Sequence, residues 1–176
     1  MQTVAILNEK GGSGKTTIAT NLAAAFRRAG RSVLLLDADP QLTALDWSDS
    51  GDAGVTVVHL GNASLEDDLP RIGGDFDLVL IDGAPRMGSL TASAVSVADL
   101  VLIPVQPSAA DIWSAETVVE VCEARATPAA FVVSRAIVGT RESDVAAEAL
   151  ESFDLPVLES RTNQRVAYVR AMRRGV

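Results

Sequence analysis

Runs of continuously apolar residues alternate along the chain with segments whose apolar residues recur at helical spacing. The runs predict buried strands at TVAILN (3–8), SVLLLDAD (32–39), VTVVHL (55–60), DLVLID (77–82), LVLIPV (100–105) and AAFVVS (129–134), with a short strand near LPVLES (155–160). Helical spacing predicts a first helix from Ile18 through Ala29 that stops at Gly30, and later helices over 111–125, 142–153 and 164–174. Fully apolar strands separated by helices are typical of a doubly wound α/β domain, with a mainly parallel sheet and helices on both faces.

The chemistry-bearing residues follow the predicted strands. A glycine-rich turn comes after the first strand, Asp37 and Asp39 end the second, and Asp82 ends a later one. Ligands of such sheets bind beyond the carboxyl ends of the strands. The pattern therefore predicts that these residues share one site.

The segment NEKGGSGKTT (8–17) is similar to a phosphate-binding loop but departs from the pattern G-x-x-x-x-G-K-[ST], because position 9 is Glu where the first glycine is expected. Glycines let the backbone turn its N–H groups inward, and the following helix directs its positive end at the same place. In this interpretation Lys15 reaches the β- and γ-phosphates of a nucleotide, and the Thr16 hydroxyl ligates Mg²⁺. The predicted nucleotide-binding residues are Lys10, Gly11, Gly12, Ser13, Gly14, Lys15, Thr16 and Thr17.

The two lysines of this segment are the only lysines among 15 basic residues. Random placement would put both at these two positions about once in a hundred times. A compact ammonium therefore suits the loop better than a guanidinium does. Lys10 is poorly placed to duplicate Lys15, and we expect it to reach the nucleotide of a facing subunit in an ATP-dependent homodimer.

Two carboxylates complete the predicted catalytic site. Asp82 has the form of a Walker B acid, which holds magnesium directly or through water. Asp39 is predicted to orient the attacking water or to assist at the metal. For Asp37 the sequence leaves two interpretations open, a site residue or a turn residue. Lys10, Lys15 and Asp39 are the predicted catalytic residues, and Thr16, Asp39 and Asp82 the predicted metal ligands.

Composition narrows the classes of function. The 176 residues, 48% of them hydrophobic, fit one P-loop domain over residues 1–176. One cysteine, Cys122, and one histidine leave no internal disulfide and no Cys/His metal cluster. With no signal peptide and no apolar run of about 18 residues, we expect a cytoplasmic protein that is not attached to a membrane.

Charge is uneven in this acidic chain, whose formal net charge is −8. Residues 160–176 contain no acid and five arginines, namely Arg161, Arg165, Arg170, Arg173 and Arg174. These arginines form either a solvated helix face or a DNA-binding patch. Aromatic residues are only 4% of the chain, so base stacking is not the expected mode of DNA binding.

Five segments carry a resemblance to a known family, namely KGGSGKTT, LLLDADPQ, LVLIDGAP, VLIPVQPSAADIWSA and QRVAYVRAM. Together they resemble the ParA family of partition ATPases, in the ParA/MinD group with a deviant Walker A motif. The resemblance is greatest to the short ParF-type members. It implies that Lys10 contacts the partner subunit's nucleotide in an ATP sandwich dimer, and that Asp39 is the switch I aspartate needed for hydrolysis. It also implies that Asp82 is the Walker B acid and that Gly83 to Gly88 form switch II.

The resemblance further implies slow, Mg²⁺-dependent ATP hydrolysis with ATP or ADP bound. A centromere-binding adaptor protein would stimulate hydrolysis, and the ATP dimer would bind nonspecific DNA on the nucleoid. Cycling between these states would move a plasmid or chromosome cargo. Members of the family usually continue beyond a position like Val176, so the resemblance predicts a missing C-terminal helix.

Three other functions compete with this interpretation. A MinD-like positioning ATPase needs a membrane-binding amphipathic helix, for which NQRVAYVRAMRRGV offers few bulky apolar residues. A dethiobiotin-synthetase-like ligase has no need of Lys10. An electron-transfer ATPase similar to the nitrogenase iron protein needs cluster-ligating cysteines, and the chain has one.

Overall fold

The sheet and its helices are seen in a computed structural model that describes residues 1–60, 64–86 and 88–176. The strands are β1 (Gln2–Ile6), β2 (Val33–Asp37), β3 (Thr56–His59), β4 (Leu78–Asp82), β5 (Leu100–Val105) and β6 (Ala129–Val133). The helices are α1 (Lys15–Arg28), α2 (Thr43–Asp49), α3 (Leu65–Ile72), α4 (Ser89–Val97), α5 (Ala109–Arg125), α6 (Glu142–Leu150) and α7 (Val166–Arg174), and a 3₁₀ turn (Glu151–Phe153) follows α6.

The six strands form one parallel sheet in the order β3-β2-β4-β1-β5-β6. Side chains alternate across it: Leu34 and Leu36 belong to one core, and Leu35 belongs to the other. Helices α3, α4 and α5 cover the first face, and α1 and α2 cover the second. The predicted doubly wound α/β fold is therefore confirmed.

Strand order decides where a ligand can bind. The chain leaves β1 toward β2 on one side and later crosses β1 to reach β5 on the other side. A crevice forms at such a reversal, beyond the carboxyl ends of the strands. The segment after β1, which holds the glycine-rich loop, lies at this point.

The prediction of a short strand near LPVLES was wrong. The structure has one isolated bridge there, between Phe131 and Val157. Phe131 donates to the Pro156 carbonyl, and Leu158 donates back to the Phe131 carbonyl. Pro156 itself has no N–H to extend the pairing, so the segment touches the edge of β6 without forming a ladder.

Several helix boundaries also differ from the predictions, among them the start of α1 at Lys15 rather than Ile18 and the start of α5 at Ala109 rather than 111. The predicted helix over 142–153 ends at Leu150 and continues only as the 3₁₀ turn, and the last helix begins at Val166 rather than at position 164. Cys122 is buried within α5. Among the described residues, no helix combines the length and the apolar composition that crossing a bilayer requires.

Candidate functional site

The glycine-rich loop joins the end of β1 to the start of α1 and needs glycine at two positions. Gly12 has a φ of 78° and Gly14 a φ of 100°, a left-handed conformation that side chains disfavour. Gly14 lies directly before the first residue of α1. The loop therefore meets a helix N-terminus, where backbone N–H groups favour an anion.

Two distant side chains fix the carbonyl groups of this loop. The Ser134 hydroxyl, just after β6, donates to the buried Ser13 carbonyl over 2.6 Å. The Gln106 amide, just after β5, donates to the Gly12 carbonyl over 2.7 Å. Sequence reasoning missed both residues, because only the order of the strands brings them to the loop.

Lys15 is buried at the first position of α1, and its Nζ donates to the Lys10 carbonyl over 3.0 Å. Burial lowers the pKa of this lysine, and the carboxylates of Asp82, Asp39 and Glu9 act against that shift. A partly desolvated cation gains more from a bound anion than an exposed cation does. The surroundings of Lys15 therefore suit a phosphate ligand.

Lys10 has different surroundings. Its Nζ lies 2.5 Å from Oδ2 of Asp111, a buried residue in the first turn of α5. The Ser108 hydroxyl also donates to this carboxylate, whose Oδ1 has no partner among the described residues. The ammonium of Lys10 is thus held by α5 of its own chain, a contact that sequence reasoning did not predict.

Asp82 lies at the end of β4, beside Ile6 of β1 and opposite Asp37 of β2. Both of its carboxylate oxygens are buried without a hydrogen-bond partner among the described residues. Burial raises the pKa of Asp82 to about 7, and Asp37 and Asp39 add to the rise. The nearby Thr16 hydroxyl and Lys15 lower the same pKa, although Thr16 forms no hydrogen bond of ordinary geometry with the carboxylate.

An unpaired buried carboxylate beside a hydroxyl fits a divalent cation. Magnesium takes oxygen ligands and is often held by one or two protein groups together with substrate phosphates and water. Within the described ranges, no three Asp, Glu, His or Cys side chains converge well enough to hold a metal by themselves. Thr16 and Asp82 would therefore hold Mg²⁺ only together with oxygens of the nucleotide and of water.

The two remaining acids lie on the loop between β2 and α2. Asp39 is half-buried and faces the cleft beside the glycine-rich loop, where it also accepts from the Gln41 N–H. The buried carboxylate of Asp37 accepts from the N–H groups of Asp39, Ala44 and Leu45 over 3.0 to 3.1 Å. Asp37 thus holds the turn and the start of α2, and this turn positions Asp39.

A cleft of about 820 Å³ extends from the glycine-rich loop to the segment after β6 and the start of α7, which sequence reasoning did not assign to the nucleotide site. The Arg135 guanidinium lies beside Gly12 of the loop itself, and the rest of the cleft is lined by Ile137, Val138, Thr162, Asn163, Gln164, Arg165, Val166, Tyr168 and Val169. Arg135 adopts a φ of 52°, and its N–H donates to the Thr162 hydroxyl over 3.2 Å. One end of the cleft suits phosphates, and the other has room for a nucleoside.

The five C-terminal arginines do not form one patch. Arg161 pairs with Asp144 over 2.7 Å, and Arg165 lines the cleft. Arg170, Arg173 and Arg174 lie exposed on α7. Met87, within the predicted switch II segment, lies outside the described residues.

Comparison with known protein families identifies the fold's relatives. The family described as "CobQ/CobB/MinD/ParA nucleotide binding domain" matches residues 4–175. A relative from Halothiobacillus neapolitanus, named "Maintenance of carboxysome distribution protein A", is 34% identical over 99% of this chain and 85% of its own length. A "Chromosome-partitioning ATPase Soj" from Thermus thermophilus is 33% identical over 58% of this chain and 54% of its own length.

Solved structures agree on the fold. An ATP complex of a Cyanothece McdA variant superposes with a TM-score of 0.80 at 21% identity, over 100% of this chain and 88% of that chain. A septum site-determining protein MinD with Mg-ADP, from Pyrococcus horikoshii, gives a TM-score of 0.79 at 21% identity, over 99% and 86%. The chain belongs to the CobQ/CobB/MinD/ParA family of nucleotide-binding domains, and the predicted kinship with its ParA-type ATPases is confirmed.

Proposed function

We propose that this chain is a Mg²⁺-dependent ATPase that forms a homodimer on ATP and hydrolyses ATP slowly. The observation that carries the proposal is the pair of lysines in one phosphate-binding loop, of which Lys15 is buried in the loop and Lys10 is directed elsewhere. Lys15 alone is sufficient to bind the phosphates of one nucleotide site, so the second lysine needs another function. Lys10 has a function in hydrolysis if it leaves Asp111 and reaches the nucleotide of a facing subunit.

The surroundings of the residues support a role for each in this proposal. Lys15 and the N–H groups at the start of α1 bind the β- and γ-phosphates, and Thr16 and Asp82 hold Mg²⁺. When bound there, Mg²⁺ would neutralise charge on the transferred phosphoryl group. Asp39, in the cleft and on a turn held by Asp37, orients the attacking water. Such an arrangement supplies positioning and charge stabilisation, which suffice for slow hydrolysis.

We further propose that the ATP dimer binds nonspecific DNA of the nucleoid and that an adaptor protein stimulates hydrolysis. Three exposed arginines on α7 support a polyanion surface on an otherwise acidic chain. The printed names of the relatives concern carboxysome distribution and chromosome partitioning, and both support the positioning of a cargo. The relative named for carboxysome distribution aligns over nearly the whole chain, which favours a carboxysome-like body over a plasmid or chromosome.

One experiment tests the core of this proposal. The oligomeric state and the retention on random-sequence duplex DNA are measured with ADP and with a non-hydrolysable ATP analogue, at several salt concentrations. We expect dimers and salt-sensitive retention with the ATP analogue alone. A protein that stays monomeric and off DNA with both nucleotides would overturn the proposal, and retention on anionic vesicles instead of DNA would favour the MinD-like alternative.

A further inference from the structure

A third cation, Arg135, lies beside the glycine-rich loop. A Cβ at Gly12 would lie 4.0 Å from Nη1 of Arg135, and Arg135 lines the same cleft as the loop. The residue is exposed, and in the part of the chain that the structure describes no carboxylate lies within ion-pair distance of it. Its charge is thus open to an anion, whereas the ammonium of Lys10 is held by Asp111.

Hydrogen bonds on both sides fix the backbone that carries Arg135. Ser134, the residue before it, donates its hydroxyl to the Ser13 carbonyl of the loop. The N–H of Arg135 donates to the Thr162 hydroxyl, and the N–H of Ala136 donates to the Thr162 carbonyl over 2.8 Å. The end of β6 is therefore held in register with the loop, and the guanidinium extends from a fixed point.

The backbone conformation at Arg135 would suit glycine better than arginine. Its φ of 52° lies in the left-handed region, which costs free energy for a residue with a Cβ. Such a cost persists where the surrounding structure enforces it, and residues that bear it cluster at ligand sites. An arginine in this conformation, directed at a phosphate-binding loop, therefore indicates that the side chain has a function there.

We propose that Arg135 is a further phosphate-binding residue of the nucleotide site and that it acts in cis. This inference rests on the proposed nucleotide binding and adds a cation to it. Lys15 binds the phosphates from within the loop as a compact charge. The planar guanidinium of Arg135 binds them from the side of β6, with a fork of N–H donors that matches phosphate oxygens.

The cis position separates the role of Arg135 from that of Lys10. An arginine of the same chain contacts the nucleotide in the monomer and in the dimer, and with ADP as well as with ATP. Lys10 contributes only when a second subunit faces the site. Because the contact of Arg135 exists before and during hydrolysis, its loss should raise KM by about tenfold and leave kcat within about threefold. An unchanged KM in Arg135→Ala would overturn the proposal.

Displacement of a fluorescent ADP analogue tests whether the contact is with phosphate. Arg135→Ala should weaken the binding of ADP, of a non-hydrolysable ATP analogue and of inorganic tripolyphosphate by about tenfold each, because all three present phosphates. Arg141→Ala is the matched control, since Arg141 is exposed just before α6 and does not line the cleft. Equal effects of the two variants would overturn the inference. Unchanged tripolyphosphate binding in Arg135→Ala would also overturn it, because the arginine would then contact the nucleoside.

Two further variants separate the side chain from the backbone that carries it. Arg135→Gly removes the conformational cost, so it should not lower the melting temperature of the protein without nucleotide, yet it should weaken nucleotide binding as much as Arg135→Ala does. Arg135→Lys keeps the charge and should recover part of the lost affinity. A lower melting temperature in Arg135→Gly would show a structural role instead. If the unaltered protein and Arg135→Ala bind nucleotide equally well, only this inference is wrong, and if the unaltered protein binds no nucleotide, the ATPase proposal is wrong too.

Discussion

The two lysines of the glycine-rich loop show how much the surroundings of a residue decide its role. Lys15 is buried, and within the described part of the chain its ammonium donates a hydrogen bond only to the Lys10 carbonyl, so its charge is available to a phosphate. Lys10 is 38% exposed at its side chain and is already paired with a carboxylate. The proposed dimer contact of Lys10 would have to break this ion pair with Asp111, so the pair would oppose dimer formation until a nucleotide offers more negative charge.

Lys10→Ala should separate nucleotide binding from assembly. We expect nucleotide affinity to stay within about threefold of the unaltered protein, because Lys15 and the loop remain. Dimers with the ATP analogue and ATP hydrolysis should both be lost. Size-exclusion chromatography and a phosphate-release assay measure these outcomes. Lys10→Arg keeps the charge and should not restore activity, because a planar guanidinium does not replace a compact ammonium. Wild-type turnover in Lys10→Ala would show that the trans role is wrong.

Asp39→Ala should stop hydrolysis after the nucleotide has bound. The carboxylate faces the cleft and is not part of the phosphate loop, so its loss leaves binding in place. We expect turnover to fall by at least about a hundredfold, as for loss of a group that handles the attacking water, and ATP-bound dimers to accumulate. Asp49→Ala, at an exposed carboxylate on α2, is the control. A normal rate of phosphate release in Asp39→Ala would refute this role.

The buried Asp82 predicts a pH dependence of stability in the protein free of nucleotide and metal. Its folded pKa of about 7 lies above the ordinary value of 3.8, so the native state holds a proton that the unfolded state releases between these values. The stability contributed by this proton is complete below about pH 4 and is lost as pH rises to 7. Asp82→Asn keeps a neutral side chain at every pH. Its gain in the free energy of unfolding over wild type should therefore grow as pH rises from 4 to 7, and should reach on the order of 4 kcal/mol.

Denaturant unfolding with a chelator present, at several pH values, measures this difference in the free energy of unfolding. Asp75→Asn is the control, because the Asp75 carboxylate is exposed and its charge stays hydrated in the folded protein. A constant difference between Asp82→Asn and wild type from pH 4 to 7 would contradict the assignment of the proton to Asp82.

Among the elements, the strands were predictable and several helices were not. The strands β2, β4, β5 and β6 are short and almost wholly apolar, and that pattern buries both of their faces, whereas the edge strand β3 is mostly exposed. Helices α2, α3 and α4 were not predicted. They are seven to nine residues long, and α3 has three acids in its first turn and Pro70 inside it. Helices α2 and α3, of seven and eight residues, show too few turns for their apolar spacing to stand out, and packing against the sheet stabilises them instead.

The candidate site was predictable where its residues are close in sequence. The segment over 8–17 combines three glycines, two lysines and two threonines within ten residues, so its local pattern is sufficient. Gln106 and Ser134 contact the same loop from 94 and 121 residues away, and Asp111 contacts Lys10 from 101. Their positions depend on which strands neighbour β1, and no single segment contains that information.

The contact between α2 and α7 gives a prediction at the scale of elements. A Cβ at Gly51 would lie 2.0 Å from the Arg174 carbonyl oxygen and 2.9 Å from the Gly175 Cα, and backbone atoms cannot move aside cheaply. Gly51→Ala should therefore lower the free energy of unfolding by about 1–3 kcal/mol and loosen α7. Thermal unfolding and hydrogen exchange over 166–174 measure both effects. Asp52→Ala, at the next and exposed position, should change neither, and an unchanged melting temperature in Gly51→Ala would contradict the contact.

At the scale of the whole molecule, charge opposes DNA binding except in one region. All 23 acidic residues lie before position 160, and the net charge is −8. A protein with this field repels a polyanion at distances beyond the Debye length of about 8 Å at physiological salt, and it attracts one only where cations are local. Of the five arginines after position 160, Arg161 forms an ion pair with Asp144 and Arg165 lines the cleft. The arginines of α7 remain as the surface on which the proposed nonspecific DNA binding would depend.

Replacing Arg173 and Arg174 by Ala should therefore change the salt dependence of DNA binding as well as its strength. Each phosphate contact contributes about 0.9 to the slope of log affinity against log salt concentration, so the slope should become shallower by roughly 2. Retention of the ATP-analogue dimer on random-sequence duplex, measured by fluorescence anisotropy from low to physiological salt, gives this slope. Arg71→Ala with Arg125→Ala removes the same charge from α3 and α5, and it should weaken binding slightly at low salt while leaving the slope unchanged. If both double variants flatten the slope equally, DNA responds to net charge and not to α7. An unchanged slope in the Arg173 and Arg174 variant would place the DNA-binding surface on another part of the molecule.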